Sequence, residues 1–193
     1  MTRLLLTTCV LAVGLVALPR AGGPQRPALS LPLHISADAV NMSNSGTGDT
    51  GRINIYVSRW TGDDERDQIL EGFVEGGPEM LLKRLQKAKP TGRIAAPGNV
   101  GYVLRYARLT PQGEGAQIVL LTDRPIGGWE AYNKPRTIDY PFTLIQLHIN
   151  AIGTGEGKLS IATKVTYDRV TKSIGLETYE SEPIRLQNLT IER

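Results

Sequence analysis

Cysteine is the first thing this chain lacks. The only one, Cys9, lies inside an N-terminal apolar run, so nothing downstream can form a disulfide and the fold must stand on its hydrophobic core. The roughly 170 residues beyond that run are enough to bury one. Histidine is nearly as scarce, limited to His34 and His148, and neither H-x-x-x-H nor C-x-x-C spacing occurs, which leaves no sequence case for zinc. A G-x-S-x-G nucleophile elbow is missing too. There is no excess of charge of one sign: 22 Lys and Arg face 19 Asp and Glu, or 20 against 19 once Arg3 and Arg20 are set aside. Electrostatics therefore give no argument for a nucleic acid or an anionic membrane as partner. No segment repeats with the period of a solenoid or propeller.

The opening segment, MTRLLLTTCVLAVGLVALPRAGG, has an Arg at its front, then an apolar run, then small residues near Ala17 and Ala21. That is the layout of a secretory signal peptide. The run falls short of the roughly 20 residues needed to span a bilayer, and no later segment is apolar enough to do so. Cys9 sits in mid-run rather than at the cleavage point where a lipoprotein signal would place it. Residues 1–21 are thus expected to be removed, leaving a secreted or periplasmic chain without a transmembrane segment. Residues 22–50 read as an extended lead-in holding a candidate first strand, LHISADAV (33–40), and a glycine-rich loop. Residues 51–193 read as one β-rich domain.

RINIYVSRW (52–60) alternates Ile53, Ile55 and Val57 with Asn54, Tyr56 and Ser58, the two-residue period of a half-buried strand. GYVLRYARL and AQIVLLTD flank a PQGEG turn. FTLIQLHINAI, KLSIATKVTYD, SIGLETYE and PIRLQNLTIE follow as apolar-alternating runs on short turns. Short connections imply antiparallel hairpins. The expected class is mainly β (α+β): an antiparallel sandwich or barrel of about eight strands with an inserted helical hairpin.

The hairpin is expected from WTGDDERDQILEGFVEGGPEMLLKRLQKAKP (60–90). Thr61 and Asp64 have N-cap spacing, and Asp63, Asp64, Glu65 and Asp67 lie where the helix dipole favours negative charge. Ile69, Leu70, Phe73 and Val74 form one apolar stripe. Gly76 and Gly77 end that helix, Pro78 opens the next, and Met80, Leu81, Leu82 and Leu85 form its stripe, with basic residues at its far end. Counted as a calcium loop from Asp63, the required Gly and Glu fall on Gln68 and Val74, so the acidic cluster reads as a helix start.

Two glycine motifs carry no cofactor. GTGDTG (46–51) fits the dinucleotide fingerprint in letters, but a strand follows it where a helix is needed. GTGEGK (153–158) lacks the upstream Gly and the Ser or Thr of a phosphate loop, and reads as a hairpin turn. TDRPIGGWEAYNKPRTIDYP (122–141) is the most suggestive segment, interleaving Trp129, Tyr132 and Tyr140 with Arg124 and Arg136. Aromatic faces beside polar handles suit a sugar, peptide or small anion. The structural alternative makes Trp129 a plug over the core.

KPTGRI and the stretch from PFTLIQLHINAI to SEPIRL resemble a group of secreted bacterial single-domain proteins of unknown function, over residues 50–190. The resemblance implies bacterial export and no particular chemistry. The resulting expectation is a noncatalytic exported module binding a small molecule, glycan or envelope protein through Arg124, Trp129, Tyr132, Arg136 and Tyr140. The alternative is a small hydrolase assembled by the fold from Glu130, Asp139 and His148.

Overall fold

A computed structural model describes residues 29–40, 50–124, 126, 142–160, 165–168, 170, 173–176 and 184–192. Eight strands close into an antiparallel barrel: β1 (Leu33–Val40), β2 (Thr50–Val57), β3 (Gly92–Ala95), β4 (Tyr102–Gln112), β5 (Gly115–Thr122), β6 (Leu144–Ile149), β7 (Thr154–Ser160) and β10 (Ile184–Glu192). β8 (Val165–Asp168) and β9 (Ser173–Leu176) form a separate hairpin between β7 and β10. The barrel is closed by β1, which pairs with β2 on one side and β10 on the other. The mainly β class with an inserted helix is as expected.

The alternation expected from the sequence sorts residues into barrel and surface. Leu33, Ile35, Ala37 and Ala39 of β1 point inward, opposite Val57, Ile55 and Ile53 of β2, and their outward neighbours include His34 and Asp38. Inward positions on the other strands, among them Ile118, Leu120, Ile145, Leu147 and Leu186, complete one apolar interior. Arg52, Arg93, His148, Lys158 and Arg185 belong to the outward sets. Apolar inside and polar outside is the reverse of the pattern along strands of a transmembrane barrel. Among the described residues no helix is long and apolar enough to cross a membrane.

The period of two breaks at two bulges. At Leu104/Tyr106 the register shifts, so Leu104 and Ala107 face the interior while Tyr106 faces out. On β10 the shift falls between Leu186 and Leu189, with Asn188 at φ 50°, a backbone state that Asn tolerates better than most residues. The Asn188 amide donates to Asp38 Oδ2 at 2.9 Å.

Tyr106, Val119, Leu121, Phe142 and Leu144 make a second core on the outside of the sheet, roofed by Ile69, Leu70, Leu81 and Leu85 of α1 (Asp63–Lys87). Gly76 and Gly77 interrupt this helix, Gly77 with φ 64°. A Cβ on Gly72 would stand 2.6 Å from Arg84 Cγ, and Arg84 pairs with Glu75 at 3.4 Å. Residues twelve apart touch in this way only if the chain folds back at the glycines, because a straight helix would set them roughly 18 Å apart. The two arms are thus antiparallel, as expected.

The helix start departs from the sequence reading. Gly62 is the N-cap and no side chain caps it. Thr61, buried, accepts instead from Ala107 N at 3.0 Å, tying the helix entry to β4. The acidic residues are engaged by arginines: Asp63 by Arg66 and Arg108, Asp67 by Arg66, and Glu65 by Arg59. Arg59 grips Glu65 through two bonds of 2.7 and 2.9 Å and also donates to the carbonyls of Lys89 and Pro90, clasping both ends of the hairpin together. Those bonds from Arg59 hold the Glu65 carboxyl below its ordinary range, against the opposing effect of burial. A carboxylate shifted down contributes stability at neutral pH that is lost on acidification through its folded-state pKa.

Candidate binding site at the barrel mouth

The topology separates the two ends of the barrel. At one end β4 and β5 are joined by a two-residue turn and β6 and β7 by a tight turn around Gly153, and Leu29 and Trp60 pack against the interior core. At the other end emerge the connections β1 to β2, β3 to β4, β5 to β6 and β7 to β10. Loops gathered at one end of a rigid sheet are where binding groups are commonly carried.

That end is open. A pocket of about 500 Å³ enters the barrel there, within the range of small-molecule sites. Its walls are Ile53 of β2, Ile94 of β3, Ile126, Leu159 of β7 and Ile184 of β10. An eight-stranded barrel has room either for its own side chains or for one small ligand. Here the interior is filled at mid-height and vacated at the mouth, where Ala39, Ala95, Ala96 and Gly101 supply little bulk. Gly101 has φ 79°, and a Cβ there would lie 2.3 Å from Ile94 O, so glycine lets the loop 96–101 fold tightly over the end of β3.

Among the described residues the polar side chains at the mouth are Asn99, Tyr102 and Arg124. The Arg124 guanidinium lies over the Tyr102 ring, 5.2 Å from its centroid, a cation–π arrangement. Its backbone is fixed from below: Thr122 Oγ1 donates to Arg124 O at 2.6 Å and accepts from Thr143 N at 2.8 Å, and Thr143 Oγ1 accepts from Ile126 N at 3.1 Å. Thr122 and Thr143 are fully buried, so these bonds fasten the rim to β5 and β6 where water cannot compete. Asp123, the acid adjacent in sequence, is committed to Arg105 at 2.8 Å. Among the described residues Arg124 has no carboxylate partner.

Of the residues singled out from the sequence, Arg124 is at this mouth. Trp129, Tyr132, Arg136 and Tyr140 lie outside the described residues, as do Glu130 and Asp139. The described chain on either side of them ends at Ile126, which packs into the interior core, and resumes at Phe142, which belongs to the outer one. His148 is exposed on the outer face of β6, beside Gln117 and Glu156, at the end of the barrel away from the mouth. Ser160 is buried opposite Leu144, its Oγ without a hydrogen-bond partner among the described residues. Four residues of strand separate Leu144 from His148, roughly 13 Å, so Ser160 and His148 do not form a nucleophile–base pair.

Tyr102, Asn99 and the apolar wall were not singled out from the sequence. Alternation marks Ile53 as inward-facing, but only closure of the barrel brings it beside Leu159 and Ile184. No family profile, curated protein or solved structure matches this chain.

Proposed function

We propose that the protein is an exported, noncatalytic binding module whose ligand is a small organic molecule seated in the barrel mouth. The observation that supports this is the pocket of about 500 Å³, apolar in its walls and polar at one side of its rim. Apolar walls supply affinity by removing ligand surface from water, at about 25 cal/mol per Å², while a few placed polar groups orient it. Trp129, Tyr132, Arg136 and Tyr140 remain proposed binding residues on their sequence alone, as aromatic faces and a second cation.

The reading is tested with N-phenyl-1-naphthylamine, a neutral dye whose fluorescence rises in apolar surroundings. The protein should bind it, and Ile53→Trp, which places an indole in the pocket from a half-buried position, should weaken binding tenfold or more with the far-UV circular dichroism unchanged. Dye binding untouched by the substitution would show that the mouth is not the site.

Export is proposed on the N-terminal segment alone. Expressed in a bacterial host, the mature chain should begin between residues 18 and 24 when its N-terminus is sequenced. Intact chain starting at Met1 in the cytoplasm would overturn this.

A further inference from the structure

We infer that the ligand is an amphipathic anion: an apolar body carrying a single carboxylate, sulfonate or phosphate-ester head, bound body inward with its head at Arg124. This rests on the mouth being the binding site and adds the class and orientation of what enters it. Arg124 is the only charged side chain in the described lining. It is exposed at the rim rather than buried at the floor, and the nearest acid in sequence, Asp123, is held by Arg105. The walls beneath it are Ile53, Ile94, Ile126, Leu159 and Ile184.

Each of these facts narrows the chemistry. A cation beside an apolar cavity attracts an anion more strongly than one in bulk water, because the protein side of the rim has a low dielectric. At the rim the head keeps part of its hydration, so the desolvation that makes buried ion pairs costly is largely avoided. A small inorganic anion would use Arg124 and leave the isoleucine and leucine walls bare. A neutral apolar molecule would fill the walls and cover an uncompensated guanidinium. Only a molecule with both parts satisfies both, and Tyr102 holds the planar guanidinium over the opening, ready for two parallel bonds to one head group.

The test compares N-phenyl-1-naphthylamine with 1-anilinonaphthalene-8-sulfonate, which has the same aromatic body plus one sulfonate. The wild-type full chain should bind the sulfonate at least about tenfold more tightly, the scale of one charge-assisted hydrogen bond. Arg124→Gln should erase the difference by weakening the sulfonate alone, and Arg124→Lys should keep part of it. Raising salt from 20 to about 500 mM should weaken the sulfonate and leave the amine unchanged. Dodecanoate should displace the sulfonate where dodecanol does so poorly.

Equal affinity for the two dyes, or a preference that survives Arg124→Gln, overturns the anion inference and leaves the pocket standing if Ile53→Trp still blocks the neutral dye. Failure of both dyes to bind overturns the inference and the pocket together. If phosphatidylglycerol vesicles sediment the protein while dodecanoate does not displace the sulfonate, Arg124 serves a membrane surface, and the monomeric-ligand inference falls.

Discussion

Replacing Gly92 by Val is expected to lower the urea midpoint of unfolding by the equivalent of about 3 kcal/mol, at unchanged slope. Gly92 sits in β3 between Val57 of β2 and Leu104 of β4. A Cβ at this position would lie 1.9 Å from Tyr56 O and 3.1 Å from Val57 Cα, both backbone atoms that no rotamer change can move. The added side chain must push β2 and β3 apart, and in a closed barrel that displacement reaches every strand. Gly51 is the matched control: it is exposed on β2, and a Cβ there meets nothing within 4 Å. Gly51→Val should shift stability by less than about 0.5 kcal/mol. Equal effects of the two substitutions would mean that the pairing of β2 with β3 is wrong.

Leu81→Ala is expected to cost about 3 kcal/mol, within the usual 2–5 kcal/mol for emptying a buried leucine site. Leu81 is fully buried on the second arm of α1, in the cluster with Tyr106, Leu121 and Leu144 on the outside of the sheet. No member of that outer cluster lines the mouth. Dye affinity at the mouth should therefore be the same in this variant as in the wild type, measured well below its unfolding midpoint. A parallel loss of stability and affinity would show that the helical hairpin supports the pocket as well as the sheet.

The sequence discloses some of these features and hides others for identifiable reasons. β1 and β2 were legible because each alternates strictly over its whole length, as were the two glycines that turn the helical hairpin. β3 was not, because its four residues are too few to show a period and it follows a Pro-Thr pair that reads as loop. The bulge at Arg105 could not be read either: LRYARL alternates as well with Tyr106 inside as outside, and the outer helix decides by offering Tyr106 a second core. Thr61 looked like a cap because its spacing allows one, yet Ala107, 46 residues away, claims its hydroxyl. Arg124 was singled out for the aromatic residues that follow it. Its described aromatic contact is Tyr102, which lies before it in the chain and meets it across the β4–β5 hairpin, where Leu104 is set opposite Thr122.

The pairing of β1 with β10 sets a condition on biogenesis. His34 lies against Glu192 and Ile35 against Ile191, so the seam of the barrel joins strands separated by nearly the whole described chain. Contacts of such long sequence separation form late, because the loop entropy between them must be overcome first. While the ribosome is still making residues 184–192, β1 has only β2 to pair with, and both β1 and β7 present open edges. A nascent chain in that state remains threadable through a translocation channel, and equally exposed to aggregation if it lingers. Under the proposed export, the native barrel can close only after its last strand has arrived on the far side of the membrane.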